Sequence, residues 1–188
     1  GSVRRWVDSS QESAKRMQQL ISQMLTLADV ERPDAALSMQ QLDLAAIATK
    51  AALEMESIAY EKCVTLETAL PEACILRGNP DYLQRIVSSL LENALKYEPA
   101  GGRVNLTLTQ DKKKVRLSVQ NFGSTIPEED LPHVFDRFYR SDKSRKSESG
   151  SFGLGLAITK EMIEKLGGEI AVSSSAEDGT VLQVTLCR

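Results

Sequence analysis

Apolar residues recur every three to four positions early in the chain. Met17, Leu20, Met24 and Leu27 form a stripe that Ile21 and Ala28 widen, with Lys15, Arg16, Gln19 and Gln23 opposite. This spacing predicts a helix from about Val3 to Glu31, stopped at Glu31-Arg32-Pro33-Asp34 because proline disfavours helix in the residue before it. The stripe must be buried against something, which points to a helical bundle or a dimer seam. A second helix is predicted from Leu44 to Ala59, with Asp43 as N-cap and Leu44, Ile47, Ala51, Met55 and Ile58 on one face. Val64–Glu67 and Cys74–Leu76 read as short strands. Gly78-Asn79-Pro80 reads as a turn opening a helix over Asp81–Tyr97, whose apolar face holds Leu83, Ile86, Val87, Leu90, Leu91 and Ala94.

Strict alternation follows. Val104–Leu108 and Val115–Val119 are predicted to form a hairpin across Gln110–Lys113. Residues 141–152 are polar, without apolar period, and read as a mobile loop. A helix from about Gly155 to Leu166 is closed by Gly167-Gly168. Strands at Glu169–Ser173 and Val181–Leu186 flank an Asp178-Gly179 turn. The order implies a lone helical segment, residues 1–34, followed by one mixed domain, residues 35–188. That domain is expected to be an α+β two-layer sandwich, its mixed, mostly antiparallel sheet carrying helices on one face.

Composition narrows the function. The chain has 188 residues, 41% hydrophobic and 26% charged, which suits a globular domain plus an appendage. A net charge of -3 gives no basic excess, so no nucleic-acid partner is expected. Cys63, Cys74 and Cys187 lack metal-ligand spacing and read as reduced, cytoplasmic thiols. No apolar run is long enough to span a bilayer, and no signal peptide is visible. Gly1-Ser2 reads as a vector scar ahead of a trimmed chain.

Four strings carry candidate chemistry. In Leu90–Tyr97, Asn93, Lys96 and Tyr97 share a helix face and can serve a metal, a phosphate and a ring, although such a face is more often merely solvated. In Val119–Pro127 a strand runs into Asn121-Phe122-Gly123, where Gly123 permits a positive φ and Asn121 can accept from a purine amine; alone, a strand-ending turn is the commoner explanation. In Ser151–Ala157, Gly153 and Gly155 leave amides uncovered at a helix start where an anion is favoured, and Leu154 and Leu156 can pack inward. In Phe135–Arg140 aromatics anchor while Arg137 and Arg140, with Lys143 and Arg145 beyond, project basic groups suited to phosphate. The plainer reading of this last string is a hydrophobic plug with solvated charges.

Taken in order, "LLENALKY", "NFGSTIP", "FDRFYR" and "GLGLAI", with "GGEIAVSS…DGTVLQVTL", resemble the ATP-binding domain of bacterial sensor histidine kinases. That domain belongs to the wider gyrase and heat-shock-protein (Bergerat-type) ATP-binding class. The resemblance covers residues 37–188, and "RMQQLISQMLTLADVE" resembles the second helix of the dimerisation and phosphotransfer hairpin. It implies ATP and Mg²⁺ as ligands. Asn93 would hold the metal, Lys96 and Arg140 (with Arg137) would meet the phosphates, and Tyr97 would lie on the adenine. Asn121 would receive its amine, and Ile126 and Thr180 would help close the pocket. Gly123, Gly153, Leu154, Gly155 and Leu156 would bring backbone to the nucleotide, under a lid at 141–152.

The resemblance further implies transfer of the γ-phosphate to a histidine on a missing hairpin helix, for relay to a response-regulator aspartate. It implies a second protomer as partner, and a membrane sensor reached only through absent N-terminal segments, with this part cytoplasmic. Three positions depart from the family pattern. Asn121 replaces an aspartate, Ser89 replaces a polar residue four before Asn93 and is a poor base, and Ser151 replaces a glycine. The acceptor histidine is absent and His133 sits where the family varies, so this chain alone is not expected to phosphorylate itself. The alternatives are a nucleotide-responsive interaction module and a serine kinase or ATPase of the same fold.

Overall fold

A computed structural model describes residues 2–33, 36–140 and 152–188. Helix α1 (Ser2–Glu31) leads into a short strand β1 (Gln40–Asp43), then α2 (Leu44–Glu61), β2 (Thr65–Ala69), β3 (Ile75–Gly78) and α3 (Pro80–Tyr97). A hairpin of β4 (Arg103–Gln110) and β5 (Lys114–Asn121) follows, then a 3-10 turn at Leu131–His133, α4 (Gly155–Lys165), β6 (Glu169–Ser175) and β7 (Gly179–Cys187).

Local chemistry explains these boundaries. Asp43 caps α2 by accepting from the Ala45 N–H at 2.9 Å, and the same oxygen accepts from the Cys74 N–H at 2.8 Å. One carboxylate therefore starts a helix and fastens β3 beside it. Asn79 caps α3 through the Tyr82 N–H at 3.0 Å, with Pro80 in the first turn, where its missing N–H costs nothing. Asp111 accepts from the Lys113 and Lys114 N–H groups at 2.8 and 2.9 Å, which closes the hairpin.

The main sheet has the order β2-β4-β5-β7-β6. The β2–β4 pair is parallel and the other three pairs are antiparallel. Alternate residues of its middle strands (Val104, Leu106, Leu108; Val115, Leu117, Val119; Leu182, Val184, Leu186) are buried beneath the helices. α3 supplies most of the covering layer, with Leu83, Ile86, Leu90, Leu91 and Leu95 almost wholly buried. The expected α+β sandwich with helices on one face is what forms.

Two expectations need correction. β1 was not foreseen, because Gln40-Gln41-Leu42-Asp43 does not alternate; it exists through its antiparallel pairing with β3. The buried face of α2 is also rotated from the expected one. Ala45, Ala48, Ala51, Ala52 and Ala59 are buried with Leu44 and Met55, while Ile58 is 42% exposed. Small side chains allow α2 to lie close against α3, so here close approach outweighs the burial of a larger residue.

α1 joins the domain by its C-terminal end. Leu27 and Val30 enter the core, Lys165 donates to the Arg32 carbonyl at 2.8 Å, and Glu31 is ion-paired with Arg137. No helix among the described residues is long and apolar enough to cross a membrane.

Candidate functional site

The C-terminal half of α3 is where the four strings meet. Lys96 lies half-buried on it, and burial, then Arg140, then Lys62 hold its ammonium below the ordinary lysine value. Lys62 reaches this place from the end of α2, donating to the Leu95 carbonyl and, at 3.3 Å, to the Lys96 carbonyl. It thereby satisfies carbonyls that the helix end leaves open. Lys96 also stands 5.1 Å from the centre of the Tyr97 ring. Three cations thus gather near this helix end, an arrangement suited to an anionic ligand. Asn93 lies one turn back, partly exposed on the same side.

α4 joins α3 through Thr159, whose hydroxyl lies 2.8 Å from the Ser89 hydroxyl and 2.8 Å from the Gly155 carbonyl. Ser89 is thus occupied in a contact between helices, which removes it further from any role as a base. Gly155, at the N-terminus of α4, is exposed, and a side chain added there would meet nothing within 4 Å. Neither packing nor backbone conformation requires glycine here, whereas a ligand approaching the first amides of the helix would. Leu154 is fully buried and Leu156 partly so, so Leu154 can offer a ligand only its backbone.

The phenylalanine string is joined to this glycine string by the Phe138 N–H, which donates to the Gly153 carbonyl at 2.9 Å. Phe138 has a left-handed backbone, φ 62°, and the residue is 58% exposed. Of the expected aromatic anchors only Phe135 packs on the core. Phe138 instead spends backbone strain on a sharp bend. Arg137 is turned to carboxylates, pairing with Glu31 and lying 3.7 Å from Glu161. The expected lid falls largely on residues 141–151, outside the described residues, and Ser151, Lys143 and Arg145 fall there too.

Across the sheet, Asn121 is buried at the end of β5, in register with Thr180 on β7. Its amide donates to the Ser124 hydroxyl at 3.0 Å. Thr180 donates to the Ser124 carbonyl at 2.9 Å and shares a hydrogen bond of 2.9 Å with Ser174, which in turn accepts from the Ile126 N–H at 2.9 Å. Gly123 has no left-handed backbone, contrary to expectation. It is glycine because a side chain would stand 2.0 Å from Pro99 and 3.0 Å from Glu98. Sequence reasoning missed Glu98, Lys62 and Thr159, which carry no periodic or motif signal, and gave no role to Ser124 or Ser174 although both lie within the quoted strings.

The chemistry of this donor set fits a magnesium nucleotide. A side-chain amide oxygen at Asn93 suits a hard cation that keeps most of its ligands from water and phosphate. The cation cluster and the α4 N-terminus suit phosphates, and the buried amide of Asn121 suits a purine edge.

A family model described as "Histidine kinase-, DNA gyrase B-, and HSP90-like ATPase" matches residues 78–188. The sensor histidine kinase CusS of Escherichia coli (strain K12) is 35% identical over 178 residues, 95% of this chain and 37% of that protein. The sensor histidine kinase WalK of Bacillus subtilis (strain 168) is 30% identical over 185 residues, 97% of this chain and 30% of that protein. The chain thus spans about a third of the length of these relatives. The structure of the mycobacterial sensor histidine kinase MprB superposes with a TM-score of 0.67 at 28% identity, over 79% of this chain and 96% of that one. Full-length ShkA, solved in complex with AMPPNP, superposes with a TM-score of 0.82 at 24% identity, over 99% of this chain and 39% of that one, and shows the shared fold. With more than half of its residues matched by the family model and its fold shared with these kinases, the chain belongs to the histidine kinase-, DNA gyrase B- and HSP90-like ATPases.

Proposed function

We propose that this chain is the ATP-binding catalytic core of a sensor histidine kinase, transferring the γ-phosphate of ATP to a histidine on a hairpin helix outside it. The observation that carries this reading is the convergence of Lys96, Lys62 and Arg140 at the end of α3, one turn from Asn93. Phosphoryl transfer depends mainly on positioning and charge neutralisation, and this cluster supplies both. Asn93 would hold Mg²⁺, which neutralises phosphate charge when bound. Lys96 and Arg140 would meet phosphate oxygens. Asn121 would accept from the adenine amine through its oxygen while its nitrogen stays on Ser124, and Tyr97 would lie on the ring. The amides at the start of α4 would turn toward phosphate.

The relatives' names as sensor histidine kinases support a two-component role, in which a response regulator would receive the phosphoryl group and a second protomer would pair with the hairpin. Membrane attachment would come through segments beyond this chain. The engagement of Ser89 by Thr159 favours transfer over rapid hydrolysis, because a hydroxyl held in a contact between helices is a poor activator of water.

Calorimetric titration of ATP and ADP with Mg²⁺, followed by addition of a separately produced hairpin domain, tests the reading. Saturable binding weakened by Asn93→Ala and Asn121→Ala, with label passing from γ-labelled ATP to the hairpin histidine, is the expected result. A folded chain that binds neither nucleotide would overturn it, and binding without transfer would leave an interaction module.

A further inference from the structure

The residue after Tyr97 is a buried carboxylate. Glu98 is 4% exposed, caps α3 with its own N–H on the Ala94 carbonyl at 3.0 Å, and leaves the helix with an extended backbone. One carboxylate oxygen accepts the Phe122 and Gly123 N–H groups at 2.7 and 2.9 Å, and the other accepts the Arg103 N–H at 3.2 Å. The backbone closes tightly around it, since a side chain at Gly102 would stand 1.9 Å from the oxygen that accepts the Arg103 N–H. Arg103 then stacks its guanidinium on the Phe122 ring at 4.2 Å, so the same turn is held from a second side.

Burying a carboxylate is costly unless hydrogen bonds compensate, and a hydrophobic contact would tie a loop to a helix more simply. What the carboxylate adds is direction. One of its oxygens fixes the amides of residues 122 and 123, immediately after Asn121, to the end of the helix that carries Asn93, Lys96 and Tyr97, while the other holds the Arg103 amide. Asn121 is itself locked to Ser124. The joint therefore sets the separation between the purine-facing and phosphate-facing halves of the pocket.

We propose that Glu98 is a positioning residue of the nucleotide site, holding the turn after β5 in register with α3 so that one ligand reaches Asn121 and Lys96 together. This rests on the nucleotide-binding reading above. The test is Glu98→Gln, which keeps size but sets an amide N–H against a backbone N–H that now finds a carboxylate oxygen. Amide exchange at Phe122 and Gly123, read by NMR without ligand, should accelerate by about ten-fold or more, in line with the loss of a charge-assisted hydrogen bond. Affinities for Mg·ADP and Mg·ATP should fall together, by roughly the same ten-fold factor, because the γ-phosphate is remote from this joint.

Parent-like exchange, or faster exchange with parent-like affinity, would overturn the role of Glu98. If Glu98→Gln does not fold, Glu98→Asp decides. It keeps the charge but is one methylene short of both amides, and parent-like affinity there would equally overturn the role. A parent chain that binds no nucleotide would overturn the underlying reading instead, a result distinguishable because it precedes any variant.

Discussion

At the scale of single residues, the protonation of Lys96 links the pocket to pH. Its ammonium is held below the ordinary 10.5 by burial and by the charges of Arg140 and Lys62. Between that lowered value and 10.5 the unfolded chain binds more protons at this site than the folded one, so its contribution to stability rises with pH across the window. A bound phosphate reverses the balance by favouring the charged lysine. Nucleotide binding should therefore take up protons near the lowered pKa, and affinity should weaken as pH rises through it. Calorimetry at alkaline pH in buffers of different ionisation heat should reveal the uptake, and Lys96→Ala should abolish it. Asn121 gives a second test. Its Nδ2 donates to the Ser124 hydroxyl at 3.0 Å, and that hydroxyl can turn to donate instead. Asn121→Asp should thus be accommodated and should tighten ADP binding about five-fold, because an ionised acceptor makes the stronger hydrogen bond. Unchanged or weaker binding would mean that the purine amine is not met at this position.

Between elements, the sequence was legible where one face does one job. The stripe of α3, Pro80 in its first turn and the alternation of β4, β5 and β7 all announce themselves, because burial of one face imposes a period on the chain. The motif strings likewise marked Asn93, Lys96, Asn121 and Gly155. What stayed hidden depends on partners distant in the chain. Lys62 touches carbonyls more than thirty residues away, Glu98 reaches amides twenty-four and twenty-five residues on, and Ser89 meets Thr159 on another helix. Such contacts leave no local spacing to read. The face of α2 was misjudged for a related reason, since its alanines matter only once α3 lies against them. Ala48 is fully buried in that face. Ala48→Leu should destabilise the chain by about 1–3 kcal/mol through overpacking, measured by urea unfolding. Arg137 belongs to this scale too, as its guanidinium bridges α1 and α4 through Glu31 and Glu161. Partly exposed ion pairs contribute little, so Arg137→Ala should cost less than about 1 kcal/mol and leave ADP affinity unchanged. A marked loss of affinity would instead place that side chain on the phosphates.

For the whole molecule, α1 is buried at one end and bare along much of its length. Leu27 and Val30 are buried near its C-terminus, while Met17, Ile21, Met24 and Leu25 remain 50–64% exposed. These four lie on adjoining turns of one helix, and a continuous apolar strip of this kind marks an interaction surface. In a hairpin-built kinase the strip would be covered by the first helix of the hairpin and by a second protomer. Two copies of this chain should pair through it at sufficient concentration. Sedimentation equilibrium should then give a mass rising from 20.7 kDa toward twice that value. Met17→Glu with Met24→Glu should hold the mass at the monomer value, since two charges cannot be buried unpaired at a seam. The same double variant should bind ADP like the parent, because the strip lies on α1 and the nucleotide site on α3, α4 and the β5 turn. Self-association that survives both substitutions would assign the contact to another face, and a parent that stays at 20.7 kDa throughout would mean that the strip needs the first hairpin helix before a second protomer can dock.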